Sequence, residues 1–220
     1  MAEIIPAILT NDVFDFRKKY SDFFALSHYF SKLHIDFADG EFVPNKTILP
    51  RELSFLRTPF VLLAHFMTYR PEVYFEQAKE VGFTYVLFHY EAFAKDTEVE
   101  EAIHKAKSLG LKPGLVINPE TPLFKIGKFI TSVGLVQLMG IHPGFQGRAF
   151  ITSTLGKIRE LRALTKDVII CVDGGVRVGI ARACAKAGVD YIVSGSAILR
   201  SEDKEMALEA LLADVETEEM

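Results

Sequence analysis

Short apolar runs alternate with longer amphipathic stretches along the whole chain. Runs at residues 3–9, 32–38, 60–66, 85–89, 112–118, 133–140, 167–174 and 189–195 are dominated by Val, Ile, Leu and Phe. They are near-continuous rather than alternating, the pattern of parallel strands buried on both faces. Stretches of helical character occupy 13–27, 51–57, 71–82, 97–110, 121–130, 151–164, 177–188 and 204–216. The stretch 71–82 opens on Pro71 and closes on Gly82, the residues that suit a helix start and stop. Parallel strands need crossover connections, and one helical stretch follows each strand. Eight such units predict an α/β chain of one domain, residues 1–220, closed into a (β/α)8 TIM barrel. An open doubly wound sheet would show a Gly-rich fingerprint after its first strand, and none stands there. Residues 212–220 read as a solvated, fraying acidic helix end.

In such a barrel the functional groups lie at the C-terminal ends of the strands. Polar residues gather there. His34 and Asp36 sit two apart on the second strand, so they point to one face. His65 lies on the third strand, His89 ends the fourth, Asn118 the fifth, Met139 the sixth and Asp173 the seventh. A lone strand-end histidine is an ordinary structural residue, and His89 is read that way. An Asp before Gly-Gly, as at Asp173, is often a turn. Buried titratable groups are costly without partners, however, and four of these can converge over the barrel axis. His34, Asp36, His65 and Asp173 offer two imidazoles and two carboxylates, a donor set for one divalent metal ion such as Zn, Fe, Mn or Co. Residue pattern alone leaves a metal site and a structural cluster both open.

Glycines form a second group. "HPGFQG" at 142–147, "DGGV" at 173–176 and "SGS" at 194–196 follow strands six, seven and eight. Glycines make turns, but loops after strands seven and eight are the recurring phosphate site of this architecture. Backbone N–H groups there can hold an anion without a lysine cluster. That matters because the formal net charge is −4, which argues against nucleic acid as a partner. Cys171 and Cys184 show neither a disulfide framework nor CxxC spacing. The first residues have no basic segment followed by a long apolar run, and no run is long enough to cross a membrane. A soluble cytoplasmic protein with no membrane partner is expected.

The stretches "HIDFADGEFVPNKTILP", "AHFMTYRPEVY", "GLVINPETPL", "LMGIHPGFQGRAF", "VDGGV" and "SGSAI" resemble ribulose-phosphate 3-epimerases in order and spacing, from Ile5 to Ile198. The resemblance implies a barrel of the ribulose-phosphate-binding type. It implies that His34, Asp36, His65 and Asp173 are ligands of one divalent metal, and that Asp36 and Asp173 are the two acid/base carboxylates. Met67 and Met139 then line the site over the substrate. Gly144, Gly147, Gly174, Gly175, Gly195 and Ser196 fall in the loops that grip its phosphate. The implied reaction is epimerisation at carbon 3 between D-ribulose 5-phosphate and D-xylulose 5-phosphate, the implied partner a small phosphorylated ketose, and the implied assembly a homo-oligomer. The chain departs from the family at Ala7 (usually Ser), Ala38 (usually Met), Leu49 (usually small), Gly140 (usually Ser or Thr) and Arg148 (usually Gln). These departures keep two alternatives in play: a 3-epimerase of another ketose phosphate such as allulose 6-phosphate, and a non-catalytic sugar-phosphate-binding barrel. A barrel lyase or synthase would normally need a strand-end lysine, and none is present at these ends.

Overall fold

The computed structural model describes residues 2–216. Eight parallel strands close in sequence order: β1 (Glu3–Ile8), β2 (Lys32–Ala38), β3 (Val61–Met67), β4 (Tyr85–His89), β5 (Lys112–Ile117), β6 (Leu135–Met139), β7 (Ile169–Asp173) and β8 (Tyr191–Ser194), with β8 pairing back onto β1. Seven α-helices accompany them: α1 (Val13–Ala25), α2 (Phe75–Val81), α3 (Asp96–Ser108), α4 (Thr154–Leu164), α5 (Ile180–Ala187), α6 (Ser196–Leu199) and α7 (Lys204–Glu216). The chain is a (β/α)8 barrel. No helix among the described residues is long and apolar enough to cross a membrane.

Local chemistry sets the helix ends. The Asp12 carboxylate accepts from the Asp15 N–H at 2.7 Å and starts α1. The Glu98 carboxylate accepts from Ala94 and Lys95 N–H and starts α3. Gly82 and Gly188 end α2 and α5 in the left-handed region. Two crossovers differ from the helical expectation. Residues 51–57 give only a short 3₁₀ turn, Pro50–Leu53, and 121–130 give two, Leu123–Lys125 and Gly127–Ser132. Pro122 and Gly127 interrupt the second stretch, and an apolar spacing of three to four suits a 3₁₀ turn as well as an α-helix. The segment 71–82 starts as a 3₁₀ turn, Pro71–Tyr74, before α2 begins. The acidic end also differs in part from a solvated tail. Asp214 is buried in α7, and its carboxylate accepts from Gly179 and Arg182 N–H at the start of α5. Residues 217–220 of that stretch lie outside the described residues.

Side-chain alternation divides the strands between two layers. Leu33, Ile35 and Phe37 of β2, and Leu62, Ala64 and Phe66 of β3, face outward into the layer under the helices. That layer is rich in fully buried phenylalanines, including Phe16, Phe23, Phe75, Phe88 and Phe129. Inward positions fill the barrel with Ile5, Leu63, Leu87, Val116, Leu135 and Val193. The same alternation turns His34, Asp36 and His65 inward, and the β2–β3 register sets Asp36 beside His65.

Candidate active site

At the C-terminal end of the barrel the inward polar residues meet. His34, Asp36, His65 and Asp173 each place one ligand atom within 4.8 Å of the others. His65 Nδ1 is 2.8 Å from Asp36 Oδ1 and 3.4 Å from Asp173 Oδ2, and His34 Nδ1 is 3.6 Å from Asp36 Oδ1. His34 and His65 are wholly buried, and Asp36 is 4 % exposed.

The electrostatics of this cluster call for a cation. Burial pushes His34 down to about 4, with the nearby His65 adding to the effect against the pull of Asp36. Burial, and then His89, holds His65 well below the usual imidazole range. Both imidazoles are therefore neutral near pH 7 and offer lone pairs rather than charge. Burial raises Asp36. Burial, and then the charge of Asp36, raises Asp173 well above the usual carboxylate range. Two carboxylates and two neutral imidazoles in one dry space have no compensating charge of their own. His34 Nδ1 is buried without a hydrogen-bond partner. An unpartnered nitrogen beside converging carboxylate oxygens fits a divalent cation with mixed N and O ligands.

A pH dependence follows. Ligation needs both carboxylates ionised, and without a cation Asp173 keeps its proton well above 3.8. Cation affinity is therefore expected to fall as pH falls through the raised Asp173 range. His34, already neutral above about 4, adds little. Calorimetry in buffers of different ionisation heat should show proton release on binding that grows as the pH is lowered. Binding with no proton release would contradict the raised Asp173.

The glycine loops stand on the wall of the same cleft. Gly144 and Gly147 after β6, Gly174 and Gly175 after β7, and Gly195 and Ser196 after β8 all line it with Asp36, His65 and Asp173. Met67 and Met139 line it too. His34 is fully buried and does not line it. At Gly175, φ is +73°, and an added Cβ would lie 2.9 Å from the Phe150 backbone, so a side chain there is excluded twice over.

Two glutamines at the site escaped the sequence reading. Gln137, wholly buried on β6, stands 3.3 Å from His34 Nε2 through Oε1 and donates from Nε2 to Asp173 Oδ2 at 3.2 Å. A lone Gln in the apolar run "LVQLM" was the available signal. Gln146, on the loop after β6, lines the cleft with Asp36 and favours its ionised form. Arg177 and Arg200 were also missed, and Arg148 stood out in the sequence only as a departure from the family. Arg148, Arg177 and Arg200 line a hollow of about 340 Å³ that shares Gly147, Gly175 and Ser196 with the cleft. His89, expected as an ordinary structural residue, is buried with its Nε2 at 3.0 Å from His65 Nε2.

The departures have physical settings. Ala38 packs with Val43 and with Met67 of the cleft lining, and Ala7 is buried beside His34 in the β1–β2 register. At Gly140 an added Cβ would lie 2.3 Å from Gly174 O and 2.6 Å from the Phe150 ring. Gly140→Ser is therefore expected to cost about 1–3 kcal/mol through overpacking. In thermal melts the midpoint should fall by about 2–4 °C per kcal/mol. An unchanged midpoint would show that the Phe150 ring and the Gly174 carbonyl both move freely aside.

Among solved structures, a 3-hexulose-6-phosphate synthase superposes with TM-score 0.72 at 17 % identity, covering 98 % of this chain and 100 % of that one. Orotidine 5'-phosphate decarboxylase from Pyrococcus horikoshii OT3 gives 0.68 at 18 %, covering 97 % and 99 %. These likenesses carry the fold. In sequence, the ribulose-phosphate 3-epimerase of Schizosaccharomyces pombe is 31 % identical over 215 residues, 96 % of this chain and 92 % of its own. That of Bacillus subtilis is 33 % identical, covering 94 % and 97 %, and that of Escherichia coli K12 is 33 % identical, covering 83 % of each. The model of the ribulose-phosphate 3 epimerase family matches residues 3–199. With that match running through all eight strands, the chain belongs to the ribulose-phosphate 3-epimerase family.

Proposed function

We propose that this chain is a metal-dependent isomerase that interconverts D-ribulose 5-phosphate and D-xylulose 5-phosphate by inverting carbon 3. The observation that carries the reading is the meeting of Asp36 and Asp173, from non-neighbouring strands, in one cleft with the glycine loops. Inverting a carbon next to a ketone requires removal of its proton and return of a proton on the opposite face. A single fixed base returns the proton to the side it came from, so two acid/base groups are needed. Asp36 and Asp173 fill those roles. The raised carboxylates suit proton exchange near neutral pH better than ordinary aspartates do.

His34, Asp36, His65 and Asp173 would hold one divalent cation, Zn, Fe, Mn or Co. When bound, it supplies positive charge beside oxygens that become anionic as the proton leaves. Met67 and Met139 provide a soft apolar wall that keeps water from the reacting carbon. Gly144, Gly147, Gly174, Gly175, Gly195 and Ser196 bring backbone to the phosphate. The guanidinium groups of Arg148, Arg177 and Arg200 add positive potential next to those loops, which suits an anionic substrate in a chain of net charge −4. Cytoplasmic residence and a homo-oligomer complete the reading. Two buried free thiols, Cys171 and Cys184, support a reducing compartment.

The test is a coupled assay for xylulose 5-phosphate, run with the purified protein and each of the four cations. Conversion of ribulose 5-phosphate with at least one of them is the expected result. Turnover of hexulose 6-phosphates alone would replace the substrate, and turnover of neither would refute an epimerase.

A further inference from the structure

Both histidines of the cluster aim the same ring atom at the carboxylates. Nδ1 of His34 and of His65 faces Asp36 Oδ1, at 3.6 and 2.8 Å. Their Nε2 atoms point away, and each meets a different buried group. His34 Nε2 is 3.3 Å from Gln137 Oε1, and His65 Nε2 is 3.0 Å from His89 Nε2. We propose that Gln137 and the His89–Glu91 pair are positioning residues that hold both imidazoles in the Nε2–H tautomer, so that both Nδ1 lone pairs face the cation site.

The tautomer follows from what each neighbour can accept or donate. A neutral imidazole has one N–H and one lone pair. Gln137 bridges two ligands from β6. Its Nε2 lies 3.2 Å from Asp173 Oδ2, and a carboxylate ligand only accepts. The amide NH2 therefore belongs on the Asp173 side and the amide oxygen on the His34 side. The reverse orientation would set the amide oxygen against the carboxylate oxygen of Asp173. An acceptor opposite His34 Nε2 fixes the hydrogen there. Nδ1 is left as the lone pair, and it is the atom buried without a partner.

For His65 the acceptor is another histidine, itself faced by a carboxylate. His89 Nδ1 and Glu91 Oε2 are 3.4 Å apart. Both are buried, and neither has another partner among the described residues. The carboxylate accepts, so His89 carries its hydrogen on Nδ1 and turns the Nε2 lone pair to His65. Glu91 is fixed in turn. Its Oε1 accepts from the Asn118 N–H at 2.8 Å and from the Thr121 hydroxyl. A chain of close polar contacts thus runs from the loop after β5 through Glu91 and His89 to His65. Ligand histidines in metal sites are commonly oriented by such outer partners. His89 is then a positioning residue rather than a bystander.

This inference rests on the cation site above, and one set of experiments separates the two. Zinc titration by calorimetry reads the affinity. Long-range ¹H–¹⁵N correlation spectra of ¹⁵N-histidine-labelled protein read each tautomer directly. In the zinc-loaded wild type, His34 and His65 are both expected as Nε2–H; without a cation, the 2.8 Å contact of His65 Nδ1 with Asp36 Oδ1 competes for the same hydrogen. Gln137→Leu should release His34 into mixed tautomers and weaken zinc about 10–100-fold, leaving His65 unchanged. Glu91→Leu should do the same to His65 alone, whereas Glu91→Gln, which keeps an acceptor, should restore the tautomer. An Nδ1–H tautomer at either histidine in the zinc-loaded wild type overturns the inference, whether or not the variants fold. So does wild-type zinc affinity in both leucine variants. A wild type that binds no zinc overturns the cation site itself, and this assignment with it.

Discussion

Replacing Asp173 with asparagine is expected to lower epimerisation by ~10²–10⁴-fold, the typical contribution of one positioned acid or base. The amide has nearly the shape of the carboxylate and keeps a carbonyl oxygen for the hydrogen bond from Gln137. It also removes a carboxyl that burial and the charge of Asp36 make costly to ionise. The cation-free variant should therefore melt no lower than the cation-free wild type, which separates lost chemistry from lost fold. The two-carboxylate account predicts more than a loss. With one carboxylate gone, the other can still remove a proton from one epimer and return a solvent proton to the same face. Asp173→Asn at saturating cation should then exchange carbon 3 of one epimer without inverting it. Asp36→Asn should do so with the other epimer. Exchange is followed by proton NMR in deuterium oxide. If both variants retained exchange with the same epimer, the division of labour would be wrong. If Asp173→Asn turned over at the wild-type rate, Asp173 would have no role in proton transfer.

Removing the cation is expected to cost nearly as much. Its charge is asked to supply several kcal/mol at the developing anion, and each 1.36 kcal/mol is about tenfold in rate. A fall of ~10²–10³-fold should follow chelation, and readdition of a divalent ion should restore the activity. Stability should move in the same experiment. A ligand present at 100 times its dissociation constant stabilises the native state by about 2.7 kcal/mol. For a chain of this size that raises the melting midpoint by about 5–11 °C. The gain should shrink at acid pH, where the raised Asp173 holds its proton against the cation. A melting midpoint indifferent to chelation would mean that His34, Asp36, His65 and Asp173 hold no resident ion.

The barrel was legible because each strand is a compact apolar run. β2 begins and ends at Lys32 and Ala38, the limits read from its sequence, since Ser31 and Asp39 flank a run that must be buried on both faces. Crossovers were less legible. The stretch 121–130 carries helical spacing, but Pro122 and Gly127 leave it as 3₁₀ turns. The buried cluster could be read because His34, Asp36, His65 and Asp173 are conspicuous in apolar strands. Gln137 was equally conspicuous. It was overlooked because a neutral amide carries no obvious chemistry until its neighbours are known, and those come from β2 and β7. His89 shows the same limit. Its sequence setting resembles any strand-end histidine, and only the fold brings its ring to His65 on one side and Glu91 on the other. Asp214 belongs with these cases, an acidic residue near the chain's end that serves as the buried cap of α5.

The central claim is that two carboxylates move the proton at carbon 3 of a ketose 5-phosphate. Its most direct measurement is the entry of solvent deuterium into carbon 3 of D-ribulose 5-phosphate, followed by NMR with the cation-loaded wild-type protein. The account predicts deuterium at carbon 3 of both the recovered ribulose 5-phosphate and the xylulose 5-phosphate formed. Recovery of both sugars with carbon 3 unlabelled, or of ribulose 5-phosphate alone and unlabelled, would contradict it.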